Sequence, residues 1–190
     1  PPGIMLVLIP CGLAEFSAGD VERVFKSVDQ LLDQLMERDV DIVIQAGVPL
    51  PILIGLEAHD ALIKHIADYT GRPAVSQIQN VMAALNHLGV KKALVANKWT
   101  DAMNATMAEF FARDGITITG VCNKVLTPAE FSRIGTDDSA QMAYELGIQG
   151  FKDHPEADGL YIGGGSWLSQ PVSEQIEDEV LGCLEFGYAI

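Results

Sequence analysis

The residues best suited to chemistry in this chain are backbone groups rather than side chains. Gly163-Gly-Gly165-Ser166 places three glycines in a row before a serine. Without Cβ atoms such a run lets a ligand approach the main chain and presents N–H donors to an anion. The same run also suits a tight strand-to-loop turn. It is not a dinucleotide fingerprint, because the Gly-x-Gly-x-x-Gly spacing and its later acid are missing. Nor is it a Walker loop, which needs Gly-Lys-Ser/Thr. Among nucleophiles, Cys11, Cys122 and Cys183 lie far apart with no Cys-x-x-Cys pair. Cys11 follows an apolar run and stands either at a site edge or as an ordinary buried thiol; the other two read as packing or surface thiols. His59, His65, His87 and His154 fall in or beside expected helices with no partner set for zinc, so no metal site is expected. Gly-x-Ser-x-Gly is absent, which removes the hydrolase elbow. Trp99 and Trp167 fall on expected strand-end loops, as ligand walls or as packing.

These residues must be positioned by alternating strands and helices. Apolar β-type runs at Ile4–Ile9, Asp41–Gly47, Pro73–Ser76, Lys92–Ala96, Ile116–Val121 and Gly159–Ile162 read as strands. Between them lie helical patterns. Val21, Val24, Phe25, Val28, Leu31, Leu32, Leu35 and Met36 recur at i, i+3/i+4 spacing behind the cap Ser17-Ala-Gly-Asp20. Leu56–Tyr69 and the run from Val81 to Leu88 follow. A helix capped by Thr100 carries Met103, Met107, Phe110 and Phe111. Thr127-Pro-Ala-Glu130 combines a capping box with proline at the first helical position. Helices at Asp137–Phe151 and Pro171–Glu179 complete the pattern. Strand–helix alternation predicts α/β architecture with parallel sheets. Ligands of such sheets bind beyond the carboxyl ends of the strands. That directs attention to Pro10–Ser17, Gly47–Pro51, Ser76–Asn80, Asn97–Thr100 and Gly163–Ser169, and to a small carboxylate or phosphate as the ligand class.

Composition narrows the partners. Twelve basic against 26 acidic residues give a formal charge of −14. The chain therefore lacks the Lys/Arg footprint that neutralises nucleic-acid phosphates, and an anionic membrane surface would repel it. No apolar run approaches the roughly 20 residues of a membrane span. Sparse, scattered cysteines fit a reducing cytoplasm. An apolar helix face would suit a two-fold homo-oligomer. One internal echo stands out: Asp41 precedes Gly47, and Asp158 precedes Gly164, by the same six positions across a hydrophobic strand.

Several segments together resemble a known family. Arg38-Asp-Val-Asp-Ile-Val-Ile-Gln-Ala-Gly-Val-Pro-Leu-Pro-Ile-Leu-Ile-Gly55 is similar to the segment of arylmalonate decarboxylases and maleate cis-trans isomerases that carries their first site position. Gly71-Arg-Pro-Ala-Val-Ser76 and Ala83-Ala-Leu-Asn-His-Leu-Gly-Val-Lys-Lys-Ala-Leu-Val-Ala96 resemble the next strand, helix and strand. Trp99-Thr-Asp-Ala-Met-Asn104 resembles the following loop, and Ala157-Asp-Gly-Leu-Tyr-Ile-Gly-Gly-Gly165 the strand carrying the second site position. This aspartate/glutamate racemase superfamily implies two pseudo-symmetric, Rossmann-like (flavodoxin-like) α/β halves with the site between them. The halves are expected at 1–88 plus 180–190, and at 89–179.

The resemblance also implies chemistry. Racemases and maleate isomerases use one cysteine from each half, as base or nucleophile and as acid. The decarboxylases keep only the second, which protonates an enediolate. In this chain Gly47 falls at the first position and Gly164 at the second. Val48-Pro49 replaces the usual hydroxyl pair, and Trp99 the tyrosine of the middle loop. What remains is a backbone anion hole around Gly163, Gly164, Gly165 and Ser166 beside a more apolar wall. The expected function is a cofactor-independent decarboxylase- or isomerase-like enzyme acting on a small (di)carboxylic acid through an enolate. Its proton donor would be Cys11, Glu15, Lys98 or a water. The alternative is a small-carboxylate binding protein on the same fold. The family's greater length also leads to the expectation of omitted segments before the N-terminus and at junctions near Gly3 and Val180.

Overall fold

The computed structural model describes residues 3–164, 167, 169–180 and the backbone of 184–186. Its elements follow local chemistry closely. Helix α1 (Ala18–Met36) starts at a reciprocal capping box, in which Ser17 Oγ accepts the Asp20 N–H and the Asp20 carboxylate accepts the Ser17 N–H. Strand β1 (Val43–Gln45) leads into α2 (Pro49–Thr70), which begins seven residues before the expected Leu56 because Pro49 is pre-shaped for a first turn. Gly55, at φ +78°, breaks the helical geometry inside α2, and Gly71, at φ +64°, closes it. Strand β2 (Ala74–Ser76) ends on Ser76, which caps α3 (Gln77–His87) with a second capping box.

The remaining elements are β3 (Lys92–Asn97), α4 (Asp101–Arg113), β4 (Thr117–Asn123), the short α5 (Pro128–Phe131), α6 (Thr136–Asp153), β5 (Gly159–Ile162), α7 (Gln170–Glu179) and β6 (Leu184–Phe186). They form two parallel sheets, β1-β2 and β4-β3-β5-β6, flanked by helices. Ala96 lies opposite Ile162 on one side and Cys122 on the other, so the segments leaving β3, β4 and β5 emerge together. At the opposite end, the Asp158 carboxylate accepts the Lys91 and Lys92 N–H groups and ties the start of β5 to β3.

One buried cluster crosses between the sheets. Val48, Ile52, Ile78 and Leu85 pack with Val95, Trp99, Phe110 and Tyr161. Each fully buried phenylalanine or leucine contributes roughly 1.5–3 kcal/mol. Helix α6 lies so close to β3 that a Cβ on Gly150 would stand 2.5 Å from Leu94 Cδ2.

One expectation changes. Ile4–Ile9 is not a strand: among the described residues no sheet partner takes its backbone, and Ile4, Met5, Leu6 and Leu8 remain exposed. Apolar composition alone does not make a strand when a neighbour is not in register beside it. At the other end, β6 pairs in parallel with β5 (Gly159 opposite Leu184); most of 180–190, assigned above to the first half, lies outside the described residues. The junction expected near Val180 adjoins residues outside the described set.

Candidate active site

The carboxyl end of β3 holds two buried polar side chains, Asn97 and Lys98. Asn97 is fully buried; its Nδ2 donates to Asn104 Oδ1 at 2.6 Å, and its Oδ1 accepts the Trp99 N–H at 3.0 Å. The carbonyls of Asn97 and Lys98 accept the N–H groups of Lys124 and Leu126. The backbone of Lys98 is thereby clamped between α4 and the segment after β4. Its side chain is only 5% exposed. Nζ lies 3.6 Å from the centre of the Phe131 ring and 5.3 Å from that of Trp167, which itself stacks on Phe131. Burial strips water from the ammonium and lowers its pKa to about 8.

Lys98 opens into a cavity of about 330 Å3 lined by Phe16, Pro128, Phe131, Ile134, Thr136 and Ser139. Phe16 reaches this wall from the loop before α1 in a left-handed conformation (φ +57°) that a bulky side chain rarely adopts. Such strain costs on the order of 1–3 kcal/mol and persists only where neighbours hold it. Here the holder is the buried carboxylate of Asp20. Its Oδ2 accepts the N–H groups of Glu15 at 2.6 Å, Ala14 at 3.1 Å and Ser17 at 3.4 Å, while Arg23 pairs with Oδ1. Those backbone donors, Glu15 first, lower the Asp20 pKa.

The glycines after β5 meet the same region. A Cβ on Gly164, whose φ is +119°, would lie 2.7 Å from Lys98 Nζ, and one on Gly163 would lie 2.9 Å from the Trp99 ring. Trp99 and Trp167 are buried, and neither indole N–H has an acceptor among the described residues. Gly165 and Ser166 lie outside the described residues. On the other side, the Gly47 N–H donates to Gln77 Oε1 at 2.6 Å. Val48 joins the buried cluster that contains Trp99, and Pro49 opens α2. Thus Lys98, Gly163, Gly164 and Trp99 are brought together, with Val48 packed in the same cluster as Trp99. Cys11 is half-buried against Val24, Leu32 and Val43, and Glu15 is exposed. Neither lines the cavity.

Sequence reasoning missed Phe16, Phe131 and Asp20 as site builders. Asp20 carried a signal, since it completes the capping box of α1, and Phe131 directly follows the Thr127–Glu130 box of α5. A second polar row, Ser76 Oγ–His59 Nε2 at 2.8 Å and His59 Nδ1–Asp60 at 3.0 Å, copies the order of a hydrolase triad. Ser76 and His59 are both fully buried, and Ser76 is committed to capping α3, so the row is structural. Burial lowers the His59 pKa. Among the described residues no three His, Cys, Asp or Glu side chains are grouped to hold a metal ion, and no helix is long and apolar enough to cross a membrane.

The arylmalonate decarboxylase family model matches residues 2–183. The chain belongs to this family. It is 24% identical over 177 residues to the arylmalonate decarboxylase of Bordetella bronchiseptica, covering 93% of this chain and 72% of that protein. A liganded double variant of arylmalonate decarboxylase, with one glycine changed to cysteine and one cysteine to serine, superposes with a TM-score of 0.81 at 23% identity. The match covers 93% of this chain and 73% of that one. A Nocardia farcinica maleate cis-trans isomerase variant holding a covalently bound succinylcysteine intermediate gives 0.75 at 15% identity, over 91% and 71%. These relatives are enzymes, and the structural matches establish the α/β fold of the family's decarboxylase and isomerase branch.

Proposed function

We propose that this protein is a cofactor-independent enzyme that decarboxylates a small dicarboxylic acid through an enolate-type intermediate. The observation that carries this reading is the cavity of about 330 Å3 with a buried cation in its wall, at the strand ends where the family's fold places ligands. Loss of CO2 from a malonate-type acid leaves an electron pair on the α-carbon, and the remaining carboxylate accepts it as an enediolate. The substrate is its own electron sink. What the protein must add is charge stabilisation and one proton. Lys98 Nζ and the main chain at Gly164 supply the first, since the Gly163 N–H is already given to the Ala96 carbonyl.

Decarboxylation ranks above two-base isomerisation because Gly47 and Gly164 carry no thiol and only one proton has to be delivered. The same lack of thiols is what favours the second reading, a small-carboxylate binding protein. Purified protein offered phenylmalonate, methylphenylmalonate and maleate separates them. CO2 release supports the decarboxylase, fumarate formation the isomerase, and saturable binding without turnover the binding protein.

A further inference from the structure

We infer that Lys98 is the group that delivers the proton to the α-carbon, taking the place a thiol acid holds in related enzymes. This rests on the decarboxylase reading above and adds the identity of the acid.

Geometry carries the assignment. Lys98 lines the cavity, is held by a backbone clamped on both sides, and directs Nζ toward Gly164. Nζ stands 2.7 Å from where a Gly164 side chain would begin, so an acid on residue 164 and the Lys98 ammonium would compete for one volume. The chain has glycine at that position and an amine in the space. The other side chains of the cavity wall are apolar or hydroxyl groups. Hydroxyls are far too weakly acidic to be the donor at neutral pH.

Protonation state agrees with geometry. With its pKa lowered to about 8, Lys98 carries a proton at neutral pH and gives it up more readily than a lysine in water. Burial causes the shift. Among the described residues the charged groups nearest in the fold are Glu15 on the loop, Lys124 after β4, Glu130 and Arg133 beside α5, and Asp137 and Asp138 on α6, all exposed, and the buried Asp20, which is taken up by the Ala14, Glu15 and Ser17 N–H groups and Arg23. The Phe131 and Trp167 rings face the ammonium and keep it charged until the carbanion forms.

The step balances as follows. The bond between the α-carbon and one carboxylate breaks, CO2 leaves, and its electron pair enters the enediolate. One N–H bond of Lys98 then breaks, its pair stays on nitrogen, and the proton forms the new C–H bond. The neutral amine takes a proton from water.

The test uses the full chain and phenylmalonate. Wild type, Lys98→Met and Lys98→Arg are compared for kcat across pH 6–10, for phenylacetate binding, and for thermal unfolding as a folding control. The wild-type kcat is expected to fall as pH rises through about 8. Lys98→Met should lose roughly 10²–10⁴-fold in kcat. Lys98→Arg, which keeps a charge but holds its proton, should bind phenylacetate and lose kcat similarly. Wild-type turnover with kcat kept in either variant overturns the proton-donor role alone. If a variant does not fold, a wild-type kcat with no fall near pH 8 refutes the assignment. A wild type that turns over none of the three acids overturns the decarboxylase reading and this inference with it.

Discussion

Replacing Lys98 by methionine should make the protein more stable at neutral pH, and the gain should vanish in base. A lysine titrates near 10.5 in the unfolded chain, and burial lowers it to about 8 in the fold. The unfolded state therefore binds more protons between these values, so stability rises with pH from about 8 to about 10.5. Below about 8 the fold bears the full cost of the buried ammonium. At 1.36 kcal/mol per pH unit that cost is about 3 kcal/mol. The rings of Phe131 and Trp167 oppose it with about 1–2 kcal/mol of cation–π attraction. Methionine retains the stem and most of its packing. Lys98→Met should then gain about 1–3 kcal/mol at pH 7 and close to nothing at pH 10.5. Urea unfolding followed by circular dichroism at both pH values measures the difference, and ionisation of other groups cancels between the two proteins. A less stable variant at pH 7, with the wild-type slope between pH 8 and 10, would refute a desolvated ammonium at this position. A stability cost at a functional residue is the expected mark of a site kept for activity.

Other perturbations probe the rest of the site. Asp20→Asn should release the loop that carries Phe16, seen as faster amide exchange at Ala14, Glu15 and Ser17 and as a raised KM. Because the Asp20 pKa is lowered in the fold, the loop's order should be present at neutral pH and be lost as pH falls through that lowered value. Gly164→Cys should cost about 1–3 kcal/mol from its positive φ and displace Lys98; adding Lys98→Ala should recover activity if the thiol then serves as acid. His59 should titrate below the ordinary histidine range by NMR, since burial lowers its pKa, and its protonation in acid should destabilise the fold.

Much of this fold was legible because its boundaries are written in local chemistry. Ser17, Thr100 and Thr127 each announced a helix, and each caps one, whereas Ser76, read only as a strand end, caps α3 as well. The strands from Lys92, Thr117 and Gly159 follow apolar runs that find parallel neighbours. Ile4–Ile9 misled because a strand is a property of a pair, and its apolar residues face no partner. In the site, Trp99, Gly163 and Gly164 were legible as strand-end residues. Lys98 was one donor among four; only its packing against Phe131, Trp167 and Gly164 separates it from Cys11 and Glu15. Contacts between residues 33 to 69 positions apart leave no spacing to read.

The central claim is that this chain breaks a carbon–carbon bond of a malonate and protonates the resulting carbanion. Its most direct test is one NMR experiment: carboxylate-13C-labelled phenylmalonate incubated with the purified protein in D2O at neutral pD. The expected products are labelled CO2 and bicarbonate together with phenylacetate carrying one deuterium at the α-carbon. Unchanged phenylmalonate after many hours at stoichiometric protein, or phenylacetate with no α-deuterium, would contradict it.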